Sequence, residues 1–322
     1  MRRILLFLTV CFVLCQSAIA QGSIPDSVRH LFDYDQKAPL DIKETGTLDR
    51  NGVKVIDLTF ASPKGGRVPA YLIVPPGKGP HAGIVYGHWG GGNRTEFLSE
   101  AVMLAEAGAV SVLIDYPWER SGESRRKGPD VAEPEKSIAV SAQAVIDLRR
   151  AIDLLLARSD VDPKRIGYVG HSYGAQWGAI LSAVDKRMKT AVLMGGVPTS
   201  ATLWLEGFDP GLVEYRNGLP KGQLDSYLKL YSQLDAIEFV PRAAPVSLFF
   251  QFARQERIMT EAHMNKYGQA ASEPKAVKFY DGGHELLNPQ AMLDRDEWLQ
   301  KQLGLKSIMA VLEKRLRSGG TN

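Results

Sequence analysis

The fold of this chain is decided by residues 165–174, which read RIGYVGHSYG. Residues 165–169 are rich in the β-branched and aromatic side chains that favour a strand, and a helical pattern begins at Gly174 and Ala175. Between them, residues 170–174 fit the pattern G-x-S-x-G. Glycine at both ends permits a turn too tight for side chains. We therefore expect a strand, a sharp turn and a helix, with Ser172 projecting at the carboxyl end of the strand.

On both sides of this turn, short β-rich runs alternate with longer helical patterns, which predicts an α/β fold with a mostly parallel sheet. We expect eight strands, the first two forming an antiparallel hairpin, at residues 53–60, 67–74, 82–86, 110–114, 165–169, 190–194, 246–252 and 276–280. The clearest helical patterns cover residues 95–107, 138–157, 176–184 and 297–316. Residues 199–242, between the sixth and seventh strands, are expected to form a small helical excursion, because structureless connections of that length are uncommon.

The composition excludes a disordered, a collagen-like or a coiled-coil protein. The chain has 322 residues, of which 44% are hydrophobic and 23% charged, as in ordinary globular proteins. Its 39 basic and 36 acidic residues give a net charge of +3, which is no electrostatic footprint for nucleic acid. We therefore expect no nucleic-acid partner.

The first twenty residues have the three-part pattern of a secretory signal peptide. A basic start at Arg2 and Arg3 precedes the apolar run 4–15, and Ala18-Ile19-Ala20 is a small-x-small cleavage site. A membrane anchor is the alternative, but a spanning helix needs about 20 apolar residues. Cleavage predicts an exported protein, periplasmic or secreted, with no membrane association. It would remove both cysteines and leave a net charge of +1.

Three segments follow from these patterns. They are a signal peptide at residues 1–20, an N-terminal extension at 21–52, and an α/β domain at 53–317 that includes the excursion 199–242.

A serine nucleophile needs an adjacent base, and His284 is the best candidate. When a serine lies on such a strand–turn–helix, its partners follow in the order acid, then histidine. His263 and His284 both lie after Ser172. His284 comes directly after the last strand, where Gly282 and Gly283 let the loop bend back, whereas His263 lies in a polar helical pattern typical of a surface.

The acid that would orient His284 is expected after the strand 246–252. Glu256 is the only acidic residue in the following turn, residues 253–259, and is assigned this role. Two alternatives remain open. Glu256 can instead form an ion pair with Arg254 or Arg257, and Asp281 can take the role of the acid because it is close to His284 in sequence.

Two backbone amides are candidate donors to an oxyanion. One is the N–H of Tyr173, directly after the nucleophile, and the other lies in the glycine-rich loop 87–92. In that loop we assign Trp89, with Gly90 as the alternative. Trp118 and His88 are candidate pocket residues. Simple packing fits Trp118 equally well, and His88 is interpreted as a structural hydrogen-bonding residue rather than a second base. No metal or cofactor is expected.

The sequence resembles the α/β-hydrolase superfamily, and within it the dienelactone hydrolase-like and acetyl xylan esterase-like enzymes. The resemblance covers residues 53–316 and is most specific at DLRRAID (147–153), DVDPKRIG (160–167) and Gly170-His171-Ser172. It implies a Ser172–Glu256–His284 triad that cleaves small-molecule or carbohydrate-linked carboxylic esters. Two features depart from the family pattern. Dienelactone hydrolases use a cysteine nucleophile where this chain has Ser172, and the acid is more often aspartate than glutamate.

The expected function is therefore that of an exported serine esterase that works through an acyl-enzyme intermediate. A serine peptidase of the same fold is one alternative. Such enzymes often carry a propeller or a large cap, and the roughly 50 residues before the first strand cannot supply a propeller. A non-catalytic carbohydrate or lipid binder is the other.

Overall fold

The computed structural model describes residues 23–50 and 52–318. The predicted signal peptide, including Cys11 and Cys15, lies outside the described residues. Within the described part of the chain, no helix is both long enough and apolar enough to cross a membrane.

The described residues form one nine-stranded sheet flanked by helices, which confirms the predicted α/β architecture. The spatial order is β1-β2-β3-β5-β4-β6-β7-β8-β9. Strands β1, β2 and β3 are antiparallel to their neighbours, whereas β4 to β9 run parallel, so the expected β2–β3 hairpin is present. The strands are β1 Lys43–Arg50, β2 Val53–Ala61, β3 Arg67–Val74, β4 His81–Gly87, β5 Ala109–Ile114, β6 Val161–His171, β7 Thr190–Met194, β8 Ser247–Ala253 and β9 Lys275–Tyr280.

The prediction of eight strands is wrong by one, because β1 lies in the segment interpreted as an N-terminal extension. All eight residues of β1 are exposed, so the strand has no alternation of apolar and polar residues to predict it. Backbone pairing with β2 defines this strand.

Helices cover both faces of the sheet. They are α1 Asp26–Arg29, α2 Leu98–Glu106, α3 Pro134–Leu156, α4 Tyr173–Val184, α5 Pro210–Asn217, α6 Gln223–Tyr231, α7 Glu261–Ala270, α8 Pro289–Leu303 and α9 Ile308–Ser318. The π-helical turn Thr202–Glu206 with α5 and α6 forms the expected excursion between β7 and β8. The single helix predicted at 297–316 is two, because Gly304 adopts a left-handed conformation (φ +62°) that ends α8.

Two apolar cores hold the helices on the sheet. Residues of α3, α4, α6 and α7 belong to one core, and residues of α2, α8 and α9 belong to the other. Since β4, β6, β7, β8 and β9 are parallel, their carboxyl ends meet at one edge of the sheet. Open α/β sheets bind ligands at that edge.

A buried charged cluster lies between α2 and α8. Arg295 Nε donates to both carboxylate oxygens of Glu100, at 3.0 and 2.9 Å. Neither carboxylate oxygen of the neighbouring Asp296 has a hydrogen-bond partner among the described residues. Burial and the Glu100 charge raise the pKa of Asp296 to about 9, against the opposing effect of Arg295.

We predict that Asp296→Asn stabilises the protein, and increasingly so as the pH rises. The folded-state pKa is raised, so unfolding releases a proton at any pH between the ordinary value of 3.8 and about 9. The contribution of Asp296 to the free energy of unfolding is fully present below the ordinary pKa of 3.8. It is lost as the pH rises toward the folded-state pKa of about 9. The Tm of both proteins should therefore be similar near pH 4 and differ increasingly as the pH rises to about 9. A Tm difference that does not change with pH would contradict this assignment.

Candidate active site

Ser172 occupies a strained turn between β6 and α4. Its φ of +55° and ψ of −111° lie in a region that L-residues rarely adopt, and such strain persists only where the surroundings enforce it. The Ser172 N–H donates to Met194 O at 2.8 Å. A Cβ at Gly170 would collide with the backbone of Gly174, and one at Gly174 would collide with the backbone of Gly87. Glycine is therefore required on both sides of the turn at Ser172.

Ser172, His284 and Glu256 form one continuous chain of hydrogen bonds. Ser172 Oγ lies 2.9 Å from His284 Nε2, and His284 Nδ1 lies 2.6 Å from Glu256 Oε2. Each residue follows the carboxyl end of a different parallel strand, namely β6, β9 and β8. With a proton on Nδ1 donated to Glu256, Nε2 is free to accept the serine proton.

Glu256 is held as a carboxylate. Its other oxygen, Oε1, accepts from the backbone N–H groups of Arg257 at 2.8 Å and Ile258 at 3.1 Å. Burial acts to raise the pKa of Glu256, but the hydrogen bond and charge of His284 and the two backbone donors outweigh it. The pKa therefore lies below its ordinary value.

The residues considered as ion-pair partners of Glu256, and those considered in place of Glu256 or His284, contact other groups. Arg254 lies near Glu261 and Asp281, and Arg257 lies 3.6 Å from Asp209. The side chain of Asp281 is 86% exposed. His263 Nε2 donates to Glu206 Oε2 at 2.9 Å, and its Nδ1 accepts from Thr260 N–H at the start of α7, so neither ring nitrogen bonds to Ser172.

Gly195, at the end of β7, makes room for His284. It adopts a φ of +61°, and a Cβ there would lie 3.3 Å from His284 Cε1. Gly195 is a site residue that was not predicted from the sequence, although a glycine directly after a buried strand is a signal of close approach.

The loop after β4 lies beside the turn at Ser172. His88 O accepts from Gly174 N–H at 3.1 Å, and Gly90 packs on the Tyr173 ring. Tyr173 begins α4, so its N–H has no acceptor within the helix and is available to an oxyanion.

The assignment of Trp89 as the second oxyanion donor requires correction. Its N–H already donates to Glu96 Oε2 at 2.8 Å, so the amide is engaged in this arrangement. Glu96 lies just before α2, seven residues beyond Trp89, and this loop closure is not encoded in the local pattern. Gly90, the alternative, is the next amide along the loop.

His88 does not line a substrate pocket, which corrects that prediction. It is 2% exposed and both ring nitrogens are engaged. Nε2 accepts from Tyr116 N–H at 3.1 Å, so Nδ1 carries the proton and donates to Trp89 O at 2.6 Å. Burial lowers the pKa of His88 to about 4, and the ring is neutral. The structural interpretation of this residue therefore holds.

Trp118 is buried and donates a hydrogen bond to the loop 87–92. Its Nε1 donates to Gly90 O at 2.8 Å, and its ring meets the Tyr173 ring edge to face at 6.2 Å. On its other side Tyr173 contacts Trp177, with ring centroids 5.4 Å apart. The packing role considered for Trp118 is thus present, and its contact with a substrate stays a prediction.

The helical excursion reaches the loop that carries Glu256. Phe208 N–H donates to Arg257 O at 3.1 Å, and Arg216 Nη1 donates to the carbonyls of Trp204 and Leu205 at 2.9 and 2.8 Å. The Trp204 ring packs on Tyr215 and Tyr227. The excursion is therefore an aromatic-rich element anchored beside the acid loop.

No group of three or more His, Cys, Asp or Glu side chains within residues 23–50 and 52–318 is arranged to hold a metal ion.

Known proteins are similar to this chain at low sequence identity. No family model matches the chain. Over 184 residues it is 26% identical to "Putative hydrolase YtaP" of Bacillus subtilis (strain 168), a match that covers 51% of this chain and 60% of that protein. An acetyl xylan esterase from Paenibacillus sp. R4 superposes with a TM-score of 0.72 and 19% identity, over 86% of this chain and 93% of that one.

Acetyl xylan esterase 1 from Thermoanaerobacterium sp. JW/SL YS485 also superposes with a TM-score of 0.72, at 17% identity, over 87% of this chain and 96% of that one. At such identities the likeness is one of fold, and it extends through most of the chain. The resemblance expected from the sequence is confirmed at that level. With its mostly parallel sheet and its strained serine turn between strand and helix, the chain has the α/β-hydrolase fold.

Proposed function

We propose that this protein is a serine hydrolase that cleaves carboxylic esters, with Ser172 as nucleophile, His284 as general base and Glu256 as the acid that orients it. The observation that carries the proposal is the hydrogen-bond chain of 2.9 and 2.6 Å from Ser172 Oγ through His284 to Glu256. Ser172 lies on a strained turn that presents its hydroxyl beside the start of α4.

The reaction has two steps. In the first, Ser172 Oγ bonds to the ester carbonyl carbon while His284 Nε2 takes its proton, and Glu256 stabilises the imidazolium. The Tyr173 N–H and an amide of the loop 87–92 hold the oxyanion. The tetrahedral intermediate then expels the alcohol, which receives the proton from His284.

In the second step, a water molecule attacks the acyl-enzyme. His284 takes one proton from the water, and collapse of the second tetrahedral intermediate returns a proton to Ser172 Oγ and releases the carboxylic acid.

For the substrate we propose esters of short acyl groups, on small molecules or on carbohydrates. Two structural neighbours are acetyl xylan esterases by name. The ring of Tyr173, next to the nucleophile, is packed between Trp118 and Trp177, and we expect it to limit the room for an acyl chain on its side of the serine. We also propose that the chain is exported, on the basis of its first twenty residues.

The proposed function is tested with p-nitrophenyl acetate, butyrate and octanoate and with a peptide p-nitroanilide. We expect kcat/KM to fall from acetate to octanoate, with at most trace cleavage of the anilide. Preferred cleavage of the anilide would favour the peptidase alternative. Absence of turnover and of covalent labelling by a fluorophosphonate would favour a binding protein. N-terminal sequencing of the protein from a periplasmic fraction or the medium tests export, and Gln21 is the expected first residue.

A further inference from the structure

A second carboxylate–histidine pair lies beside the first and uses residues to which no role has been assigned. Glu96 Oε1 lies 2.6 Å from His171 Nδ1, and Glu96 Oε2 accepts from Trp89 N–H at 2.8 Å. His171 Nε2 lies 2.9 Å from the backbone carbonyl of His284. We call this chain of hydrogen bonds, from Trp89 through Glu96 and His171 to His284, the loop bridge.

The donors and acceptors of the loop bridge are determined by its two ends. A carbonyl oxygen can only accept, so His171 Nε2 carries a proton and donates to His284 O. A backbone N–H can only donate, so Glu96 Oε2 accepts from Trp89. A single proton then remains between Glu96 Oε1 and His171 Nδ1, and it satisfies both atoms whichever of them holds it.

The loop bridge joins the three segments from which the proposed site is built. Trp89 lies in the loop with the second oxyanion donor, His171 directly precedes the nucleophile Ser172, and His284 is the proposed base. The His171 and His284 rings are 5.2 Å apart. The His171 side chain is 5% exposed, so water cannot readily replace a lost partner.

We propose that Glu96 and His171 are positioning residues for the reaction. Through the loop bridge they hold the loop 87–92, here called the oxyanion loop, and the loop after β9 that carries His284 in their positions relative to Ser172. This inference rests on the proposed function of the site. Ser172 Oγ bonds to the other histidine, His284, so the proton of the nucleophile does not pass through Glu96. The role of Glu96 is to connect the loops, and its negative charge is not required.

Glutamine is the decisive substitution, because it can form the same bridge without a charge. Its Oε1 can accept from Trp89 N–H while its Nε2 donates to a neutral His171 Nδ1, and His171 Nε2 still donates to His284 O. Alanine removes all of these contacts. The conservative variant therefore separates connection from charge.

The experiment compares Glu96→Gln, Glu96→Ala and His171→Phe with the wild type, using kcat and KM for p-nitrophenyl acetate and the rate of Ser172 labelling by a fluorophosphonate. Glu96→Ala and His171→Phe should each lower kcat about 100-fold, the loss typical of a misplaced catalytic group, with little change in KM. Glu96→Gln should retain kcat within about fivefold. The double variant Glu96→Ala/His171→Phe should be no slower than the worse single variant, because both break the same bridge.

The matched control is Glu106→Ala. Glu106 lies at the end of α2 and pairs with Arg315, so this variant also removes an ion-paired carboxylate from the same segment, but away from the site. Its kcat should equal that of the wild type. The Tm of each variant shows whether any loss of activity follows unfolding, and if Glu96→Ala does not fold, the comparison of His171→Phe with Glu96→Gln decides.

Two results would overturn the inference: a Glu96→Ala kcat equal to that of Glu106→Ala, or a Glu96→Gln variant about 100-fold slower than the wild type. A wild type that is labelled at Ser172 but does not hydrolyse the ester would contradict the proposed substrate class, and the labelling rates would still test the bridge. A wild type that is neither active nor labelled would overturn both proposals.

Discussion

Ser172→Ala is expected to abolish ester hydrolysis, with kcat reduced on the order of 10⁴- to 10⁶-fold, as for other hydrolases that lose a triad nucleophile. The substitution removes the only atom through which an acyl-enzyme can form. His284→Ala should cause a loss of similar size, because the serine hydroxyl is then left without a base. The double variant should be no slower than either single one, since the two residues act in the same step.

These losses are measured as kcat on p-nitrophenyl acetate, with covalent labelling by a fluorophosphonate as an independent readout. Alanine at position 172 must still adopt the strained backbone of the turn, so Tm and circular dichroism accompany the kinetics. A Ser172→Ala protein that folds and retains more than about a hundredth of the wild-type kcat would contradict the assignment of Ser172.

Glu256→Gln is expected to lower kcat about 10⁴-fold, the effect known for the corresponding change in a serine triad. The structure supplies the reason. Oε1 of Glu256 accepts from the N–H groups of Arg257 and Ile258, so the amide oxygen of glutamine would occupy that position. Its NH₂ group would then face His284 Nδ1. That nitrogen would have to accept, the ring proton would move to Nε2, and His284 could no longer take a proton from Ser172.

The matched control for Glu256→Gln is Asp281→Asn, which tests the other acid considered for this role. Asp281 is largely exposed and lies 3.6 Å from Arg254, so its neutralisation should leave kcat within about twofold of the wild type. Because the amide changes the tautomer but removes no atom from the packing, the Tm of Glu256→Gln should change little. If Asp281→Asn were the slower variant, the assignment of the acid would have to be reversed.

The sequence allowed the elements around the site to be predicted more fully than the contacts between them. Strands β3 and β7 begin and end where the apolar runs predicted, because buried strands read as short hydrophobic segments bounded by turn residues. β1 was missed because its side chains are all exposed and carry no such signal.

The choice between Glu256 and Asp281 could not be made from local sequence. Both residues follow a strand that ends at the same edge of the sheet, and Asp281 is the nearer to His284 along the chain. The paths of the two loops decide the matter, since they place Glu256 2.6 Å from the imidazole and direct Asp281 toward Arg254.

The choice of the second oxyanion donor in the loop 87–92 could not be made from local sequence either. The glycines of that loop indicate a close approach of backbone, and Gly90 does pack on Tyr173. Which amide of the loop remains available depends on Glu96, whose carboxylate is brought to Trp89 N–H only when the chain before α2 folds back. His88 is buried, with one ring nitrogen accepting from the distant Tyr116 N–H and the other donating to the carbonyl of the neighbouring Trp89.

The sequence by itself determined the α/β architecture, the glycine-flanked turn at Ser172 and the few residues able to serve as its base and acid. These depend on hydrophobic period, glycine placement and chain order, all of which are local. Only the tertiary structure decided that Glu256 meets His284, that Glu96 occupies the Trp89 amide and that His171 supports the His284 backbone. Hydrogen bonds act over about 3 Å, and the residues that form these are separated by up to 113 positions along the chain.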